Sequence, residues 1–457
     1  MVSGKRVWSR LSPPHVMALM FLVVILIGVV LLMLPVSHKV PISFIDALFT
    51  STSATCVTGL MTVNAAETFT FFGQVVLLFL IQIGGMGITF VSSFFMIMLG
   101  RSMSIRGSSM VHESFSSSYR IDLHKLILSI LVLVLAFEAL GTVSLTWYLW
   151  DMFPPATAIW VGLFHSVSGF FNAGISILPE GLDSLPKNPI QDIIFTVLIW
   201  GGALGFMTYR EFYERIKYPS VAKRNWSLQT RIVMVYTAGL TVVGALGIYL
   251  FERNGVLAGL PFYEQVTNSI FHSVSARTAG FSNVDFFYLN NSTLYLFMLL
   301  MFIGGGPGSA AGGIKVTTFA ILIGLAMSRY RGHESAHIFN RAIPEEIVSR
   351  SISIVFLSVI VMTIFLFFLL VSEAHLVDPH TGGRATFMEI LFEAVSAHGT
   401  VGLSMGITPK LSGIGKFLVV LMMFTGRLGP LAIAVLVGTR EKGKASFKLS
   451  EESVMVG

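Results

Sequence analysis

One short phrase occurs four times along this chain. In each copy an aliphatic residue precedes Phe, Ser follows four positions after the Phe, and a Gly ends the phrase nine or ten positions after it. The copies start at Phe49, Phe164, Phe271 and Phe392 and end at Gly59, Gly174, Gly280 and Gly402. A repeat of this kind predicts four similar structural units that pack around a common axis.

The composition places the chain in a lipid bilayer. Hydrophobic residues make up 54% of it and charged residues 12%, and the mean hydropathy is +0.78. The stretch Val16–Val36 runs 21 residues without a charge, and about 20 apolar residues cross the hydrocarbon core. Lys5, Arg6 and Arg10 precede this stretch as in a signal peptide. Because the run is too long and lacks a small-residue cleavage site, we expect a retained first helix.

Each unit has the same predicted order of elements. A long apolar helix comes first, then a short amphipathic segment with the repeated phrase, then the glycine loop and a second long helix. The first helices are expected at 15–36, 125–150, 230–251 and 350–372, the short segments at 44–54, 159–170, 264–276 and 387–397, and the second helices at 70–99, 190–217, 293–328 and 412–438. A short segment of about 11 residues reaches about 16 Å, which is too little to cross the bilayer.

The short segments must therefore be re-entrant. Non-helical backbone at membrane depth persists only inside protein or against a water-filled cavity. The predicted fold is an all-α polytopic membrane protein whose four helix–pore-loop–helix repeats surround a central ion pore. It has eight membrane-spanning helices and four re-entrant pore helices. The repeats are expected to span residues 1–110, 111–225, 226–340 and 341–457.

The charge distribution predicts an orientation. Most of the 30 Lys and Arg residues lie in the N-terminus and in the segments 101–125, 210–231, 329–350 and 440–448. The positive-inside rule places these segments, and with them both termini, in the cytoplasm. Acidic residues then predominate outside, where they raise the local cation concentration; on charge alone, simple tolerance of acids in outer loops explains them equally well. The pI near 9.4 thus has a membrane explanation and does not indicate nucleic acid.

The glycine loops have the chemistry that a dehydrated cation needs. Backbone carbonyls can replace its water shell, and the C-terminal end of each short helix adds a negative dipole. Glycine reaches the unusual backbone angles that such a loop requires. The loops offer no carboxylate, so the main chain must coordinate the ion. The candidate ion-binding residues are Val57, Thr58, Gly59, Asn172, Ala173, Gly174, Thr278, Ala279, Gly280, Thr400, Val401 and Gly402.

The loop sequences resemble the filter signatures of the Trk/Ktr/HKT cation transporters. The matching motifs are A-T-x-V-T-G-L from Ala54, N-A-G from Asn172, R-T-A-G-F from Arg277 and T-V-G-L from Thr400. Within that superfamily the chain is similar to Ktr-type membrane subunits for potassium uptake. The resemblance implies potassium selectivity, since some sodium-selective members carry Ser where Gly59 stands. It also implies a homodimer in the plasma membrane that pairs with a cytosolic, ATP/ADP-responsive nucleotide-binding ring. Cys56 replaces a Thr of a relative, with little expected effect on backbone coordination.

A second feature is the glycine-rich middle of the segment Thr293–Ser328. Its 36 residues would span about 54 Å as a helix, more than a crossing needs. Gly304–Gly313 contains six glycines and one proline, so a break in the helix is expected. It resembles the family's intramembrane gate, with Gly304, Gly305, Gly306, Pro307, Gly308, Gly312, Gly313 and Lys315 as candidate gate residues. A nucleotide site is not indicated here, because no βαβ context surrounds the glycines and no Gly-Lys pair is present.

Three cations are expected at membrane depth, where each should face a cavity or a partner. By resemblance, Arg427 is an electrostatic barrier below the filter; the alternative is a structural pair, for example with Glu138. Lys315 either locks the glycine-rich loop or extends to the inner interface. The side chain of Arg277 is expected to point behind its loop toward an acid such as Asp285 or Glu264.

The repeated phrase also carries histidines and serines. His165 and His272 occupy the same place in two units, and we expect packing there instead of a metal site, which needs similar ligands that converge. The repeated serines are expected to hydrogen-bond the short helices from behind. These serines are Ser53, Ser168, Ser275 and Ser396.

Other function classes fit less well. An intramembrane serine protease needs one special nucleophile with its own base, whereas the serines here are repeated fourfold, so we predict no enzyme. A carrier with alternating access is the main alternative, but inverted repeats typify it. No organic cofactor is expected; K⁺ is the expected ion, and Na⁺ as a coupled or activating ion stays open. The segments 210–231 and 329–350 are expected to dock a regulatory partner or, equally well, lipid phosphates.

Overall fold

A computed structural model describes residues 13–87, 123–186, 188–218, 225–376 and 384–429. The basic N-terminus, nearly all of the segment 101–125, the segment 440–448 and the tail after Gly438 lie outside these residues. The described part is mostly α-helical, which confirms the predicted all-α class. Its only β-strands, apart from two isolated bridges, form a hairpin of β1 (His337–Ile338) and β2 (Arg341–Ala342). Phe339 and Asn340 form its turn with φ of 50° and 60°, the left-handed pair that tight hairpins favour.

Four long apolar helices lie where the first helix of each unit is expected. They are α1 (Pro13–Leu32), α5 (Leu123–Leu149), α9 (Leu228–Glu252) and α13 (Glu345–Ser372). All four are long and apolar enough to cross a membrane. In the first three, 28–33% of the apolar window is buried inside the protein, against 11% in α13. The fourth unit therefore presents most of its first helix to the surroundings.

Four shorter helices carry the repeated phrase. They are α2 (Phe44–Cys56), α6 (Pro155–Phe170), α10 (Phe262–Ser275) and α14 (Arg384–Gly399). With 13 to 16 residues they are a few residues longer than expected. The Phe of each copy, at 49, 164, 271 and 392, is completely buried. The phrase therefore anchors each short helix in the protein interior.

The remaining helices complete the four units. The short α3 (Ala65–Thr68) precedes α4 (Phe71–Met86) in the first unit, and the second unit continues with α7 (Pro189–Ala203) and α8 (Phe206–Lys217). The third unit has α11 (Asn291–Met301) and α12 (Val316–Tyr330), and the fourth has α15 (Gly413–Leu428). Short 3₁₀ turns lie at Gly181–Ser184, Phe286–Tyr288, Ala374–Leu376 and Thr408–Lys410.

The second helix of each unit is shorter than predicted. A glycine with positive φ follows three of these helices. Gly87 follows α4 with φ of 83°, Gly205 lies between α7 and α8 with φ of 84°, and Gly429 follows α15 with φ of 83°. A left-handed glycine stops a helix because the next N–H no longer points along its axis. A continuous helix over 190–217 is therefore wrong, since α7 and α8 meet at 95°. Because 88–99 and 430–438 lie outside the described residues, the count of eight crossings stays a prediction.

Three units attach the short helix to the first helix in the same way. The Oγ of Ser51 donates to Ile25 O, that of Ser166 to Glu138 O, and that of Ser273 to Thr241 O. Three residues after each acceptor stands a glycine whose missing side chain leaves room for the serine. These glycines are Gly28, Gly141 and Gly244. The fourth unit has Ala394 at the serine position, so its two helices lack this hydrogen bond.

Polar contacts on the loop side join neighbouring units. Lys416 at the start of α15 forms a 2.8 Å ion pair with Asp46 in α2, which links the fourth unit to the first. Asn283 Nδ2 donates to Asp192 Oδ1 at 2.8 Å and links the third unit to the second. These contacts hold the glycine loops in a closed arrangement.

Candidate functional site

The four glycine loops share an unusual backbone. Two residues before each glycine, a residue with a side chain adopts the left-handed region. The φ angles are 57° at Val57, 58° at Asn172, 73° at Thr278 and 51° at Thr400, and they are 102°, 64°, 74° and 97° at Gly59, Gly174, Gly280 and Gly402. A β-branched residue in this region is a strong outlier, and each such residue costs about 1–3 kcal/mol. Strain repeated at four equivalent places marks a functional constraint.

The four glycines meet in a ring. A Cβ atom on any one of them would clash with the backbone of the next loop. A Cβ on Gly59 would lie 2.7 Å from Ala173 O and 3.1 Å from Gly174 Cα, and one on Gly174 would lie 2.8 Å from Ala279 O and 3.0 Å from Gly280 Cα. A Cβ on Gly280 would lie 3.1 Å from Gly402 Cα, and one on Gly402 would lie 2.9 Å from Gly59 Cα. Each loop thus contacts its successor in the chain, and the fourth returns to the first. The ring brings together the candidate residues of all four loops around one point.

The repeated serines hold these loops from behind. Ser53 Oγ accepts a hydrogen bond from Gly59 N at 3.0 Å, and Ser396 Oγ accepts one from Gly402 N at 3.1 Å. Ser168 and Ser275 instead donate to the carbonyls of Ile175 and Phe281. The predicted serine contacts are therefore present, but they are made to the loop after each short helix instead of to the helix itself.

The two histidines of the phrase contact the chain just after the ring glycines. In both, Nδ1 contacts the carbonyl one turn earlier in the helix, and Nε2 contacts a serine, Ser176 for His165 and Ser282 for His272. Glu393 occupies the same place in the fourth unit and accepts from Ser404 at 2.8 Å. Each of these serines follows a ring glycine by two residues, a Gly-x-Ser signal that our sequence reading missed. No cluster of three metal-binding side chains occurs in the described residues.

The glycine-rich segment forms a compact loop between α11 and α12. Gly304 N donates to Ile314 O at 2.8 Å and Val316 N donates to Gly305 O at 3.0 Å, which closes the neck of the loop. Its far side contacts the broken end of α7 through Gly306 N, which donates to Ala203 O at 2.8 Å. A Cβ at Gly312 would clash with the side chain of Thr400. The loop thus lies directly against the fourth glycine loop.

Two of the three cations predicted at membrane depth, both partly buried, bind this loop. Arg427 donates to the carbonyl of Ala310 in the loop and to that of Gly84 at the end of α4, the latter at 2.6 Å. Lys315 Nζ donates to Ala311 O at 2.6 Å, so it closes the loop through a carbonyl acceptor. Pairing of Arg427 with Glu138 is wrong, because Glu138 accepts from Gln82 Nε2 at 2.8 Å.

The third cation, Arg277, has a different partner from the one predicted. Its guanidinium is fully buried and donates to Thr241 Oγ1 in α9 at 2.8 Å. Asp285 instead caps a 3₁₀ turn by accepting from Phe287 N. Pairing of Arg277 with Asp285 or Glu264 is therefore wrong, because its side chain extends to the first helix of its own unit.

Comparisons with known proteins agree on one family. The family model TrkH, described as "Cation transport protein", matches residues 15–447. The chain is 33% identical to Ktr system potassium uptake protein B of Bacillus subtilis over 442 residues, 96% of both chains. It is 35% identical to the potassium/sodium uptake protein NtpJ of Enterococcus hirae over 462 residues, all of both chains. The crystal structure of the potassium transporter TrkH from Vibrio parahaemolyticus has a similar fold, with a TM-score of 0.69 at 19% identity, covering 92% of this chain and 84% of that one.

Proposed function

The chain belongs to the TrkH family of cation transport proteins, and from this premise we propose that it takes up potassium ions across the plasma membrane. Two relatives that match over nearly their whole length are named for potassium uptake, one of them for potassium and sodium. The closed ring of four left-handed loops carries the proposal. A site built from four converging main-chain segments without a carboxylate suits a partly dehydrated monovalent cation.

In this proposal the filter coordinates K⁺ through backbone carbonyls. Each loop contributes three residues, the two before its glycine and the glycine itself, namely Val57–Gly59, Asn172–Gly174, Thr278–Gly280 and Thr400–Gly402. The strained residue at the start of each loop and the glycine at its end turn the intervening backbone. Serines behind the loops bind one N–H or carbonyl of each. The remaining carbonyls are then free to face the ion.

The glycine-rich loop at Gly304–Gly313 is the proposed gate. It lies against the filter loop at Thr400 and is held there by Arg427 and by backbone hydrogen bonds to Gly202 and Ala203, while Lys315 closes the loop on itself. The guanidinium of Arg427 also places a positive charge near the ion path, which repels cations while the loop is in place. Potassium passes when the loop and this charge move aside.

A cytosolic nucleotide-binding ring is the proposed source of that movement. Helix α12 leads directly from the loop to the hairpin β1–β2, where Ile338 packs against Gly324 and His337 N donates to Ser328 Oγ at 2.9 Å. A partner that binds this hairpin can therefore pull on the loop through one rigid helix. Docking of lipid phosphates at the same basic segments is the alternative. A homodimer, cytoplasmic termini and activation by Na⁺ belong to the same proposal.

Ion flux in proteoliposomes tests the proposed function. The wild type should carry K⁺ faster than Na⁺ when each is supplied alone. Gly59→Ser should lose this preference, because its Cβ would lie 2.7 Å from Ala173 O at a φ of 102°. Gly239→Ser is the matched control, since nothing lies within 4 Å of a Cβ there. Slow uptake that is strictly coupled to a second ion would favour the alternating-access carrier and refute the pore.

A further inference from the structure

Arg277 is the single strong cation at its place in the repeat. It stands six residues after the repeated Phe, and the equivalent residues of the other units are Thr55, Phe170 and His398. Only 2% of its surface is exposed. A charged side chain at membrane depth costs several kcal/mol unless it is compensated, so this one place in the ring needs an explanation.

The charge of Arg277 is not compensated within the described residues. One nitrogen, Nη2, donates to the neutral hydroxyl of Thr241 at 2.8 Å. Its Nε and Nη1 atoms are buried without an acceptor among those residues. The ion pairs found among the described residues involve Arg210, Arg215 and Lys416, and none of these includes Arg277. A full positive charge therefore stands behind the third loop.

The contact between Arg277 and Thr241 shows on which side of the third loop the charge lies. Thr241 lies on α9, whose other faces carry exposed apolar residues such as Val242 and Val243. The guanidinium thus extends away from the axis and does not block the ion path. Arg277 precedes Gly280 by three residues, so its Cα lies at most about 11 Å from the glycine Cα. Because the side chain extends outward from this Cα to α9, the guanidinium lies farther out, roughly 15 Å from an ion in the ring, where its field still acts.

We propose that Arg277 sets the ion occupancy of the filter. This inference rests on the proposed function, because it assumes that the ring binds K⁺. A charge roughly 15 Å from the ion at an effective dielectric constant of about 20 weakens binding by roughly fivefold. A filter must bind its ion weakly enough to release it. Arg277 therefore favours fast release over tight binding.

Potassium binding and flux of charge variants test this role. Arg277→Gln removes the charge and should lower the half-saturating K⁺ concentration about fivefold while it reduces the maximal flux. Thr241→Asp supplies a counter-charge with the arginine intact, and should shift half-saturation in the same direction. Arg277→Lys keeps the charge and should behave like the wild type. Thr237→Val, a nearly isosteric change one turn earlier on α9, is the control.

Two readouts separate this inference from the proposed function. Flux in proteoliposomes reports transport, and protection of the detergent-solubilised protein by K⁺ against thermal unfolding reports binding alone. Absence of wild-type flux with retained K⁺ protection refutes transport only. Equal half-saturation in the wild type, Arg277→Gln and Thr241→Asp refutes the inference, as does equal weakening by Arg277→Gln and Arg277→Lys. If Arg277→Gln does not fold, Thr241→Asp decides the question.

Discussion

Replacement of Arg427 by Ala should open the pore without any partner. The side chain donates one hydrogen bond to the glycine-rich loop at Ala310 and one to Gly84 at the end of α4. Hydrogen bonds from a charged donor contribute about 1.5–3 kcal/mol each. The lower value for both gives about 3 kcal/mol, which shifts the balance between closed and open forms about a hundredfold. We expect K⁺ flux in proteoliposomes of the purified chain to rise strongly, up to the limit of full opening.

A second background separates the two ways in which Arg427 can act. Without Gly304–Gly313 the arginine has no loop to hold, and only its charge remains. If the hydrogen bonds dominate, Arg427→Ala raises flux in the intact chain and adds little in the deletion variant. An equal rise in both backgrounds would assign the effect to the charge alone. Lys410→Ala, at an exposed site that takes no part in these contacts, is the control. Unchanged flux in the intact chain would refute both roles.

Two further predictions concern stability in detergent. Gly244→Ala should destabilise the protein by about 1–3 kcal/mol because its Cβ clashes with Ser273 Oγ. Gly239→Ala has nothing within 4 Å of its Cβ and should stabilise the protein by up to about 1 kcal/mol. Equal thermal midpoints of the two variants would contradict this prediction. Burial alone would raise the pKa of Asp46, but hydrogen bonds led by that of Lys416 outweigh it, and the pKa is lowered from 3.8. The folded pKa is then below the unfolded one, so this carboxylate contributes stability above about pH 4 that is lost as the pH falls through the folded pKa. Asp46→Asn should therefore flatten the acid side of the stability profile measured by thermal unfolding, and a profile as steep as that of the wild type would contradict it.

The sequence predicts the loops well because their backbone geometry restricts residue choice. A left-handed position next to another backbone requires glycine, so Gly59 and its three counterparts recur at fixed spacing. The buried Phe of each copy is restricted in the same way by packing. Both constraints are local, and a single sequence therefore shows them.

The breaks in the second helices of the first, second and fourth units were missed although a signal for them exists, whereas the break in the third unit was predicted. A Gly-x-x-Gly pair marks each break, as at Gly84 and Gly87 or Gly202 and Gly205. Apolar residues lie on both sides of these pairs, so hydropathy favours one longer helix. The partner of Arg277 was missed for another reason. Charge pairing favours an acid nearby in sequence, but the fold supplies Thr241, a residue 36 positions earlier.

The helix breaks and the glycine-rich loop belong to one arrangement. A helix that ends at membrane depth leaves its last carbonyls without partners, and these must be satisfied inside the protein. The carbonyl of Gly84 accepts from Arg427, and those of Gly202 and Ala203 accept from the backbone of the loop. The proposed gate thus satisfies the broken helix of the second unit while it is in place, and Arg427 links it to the end of α4. When it moves, water must replace it at these carbonyls, so opening and hydration of the inner pore have to occur together.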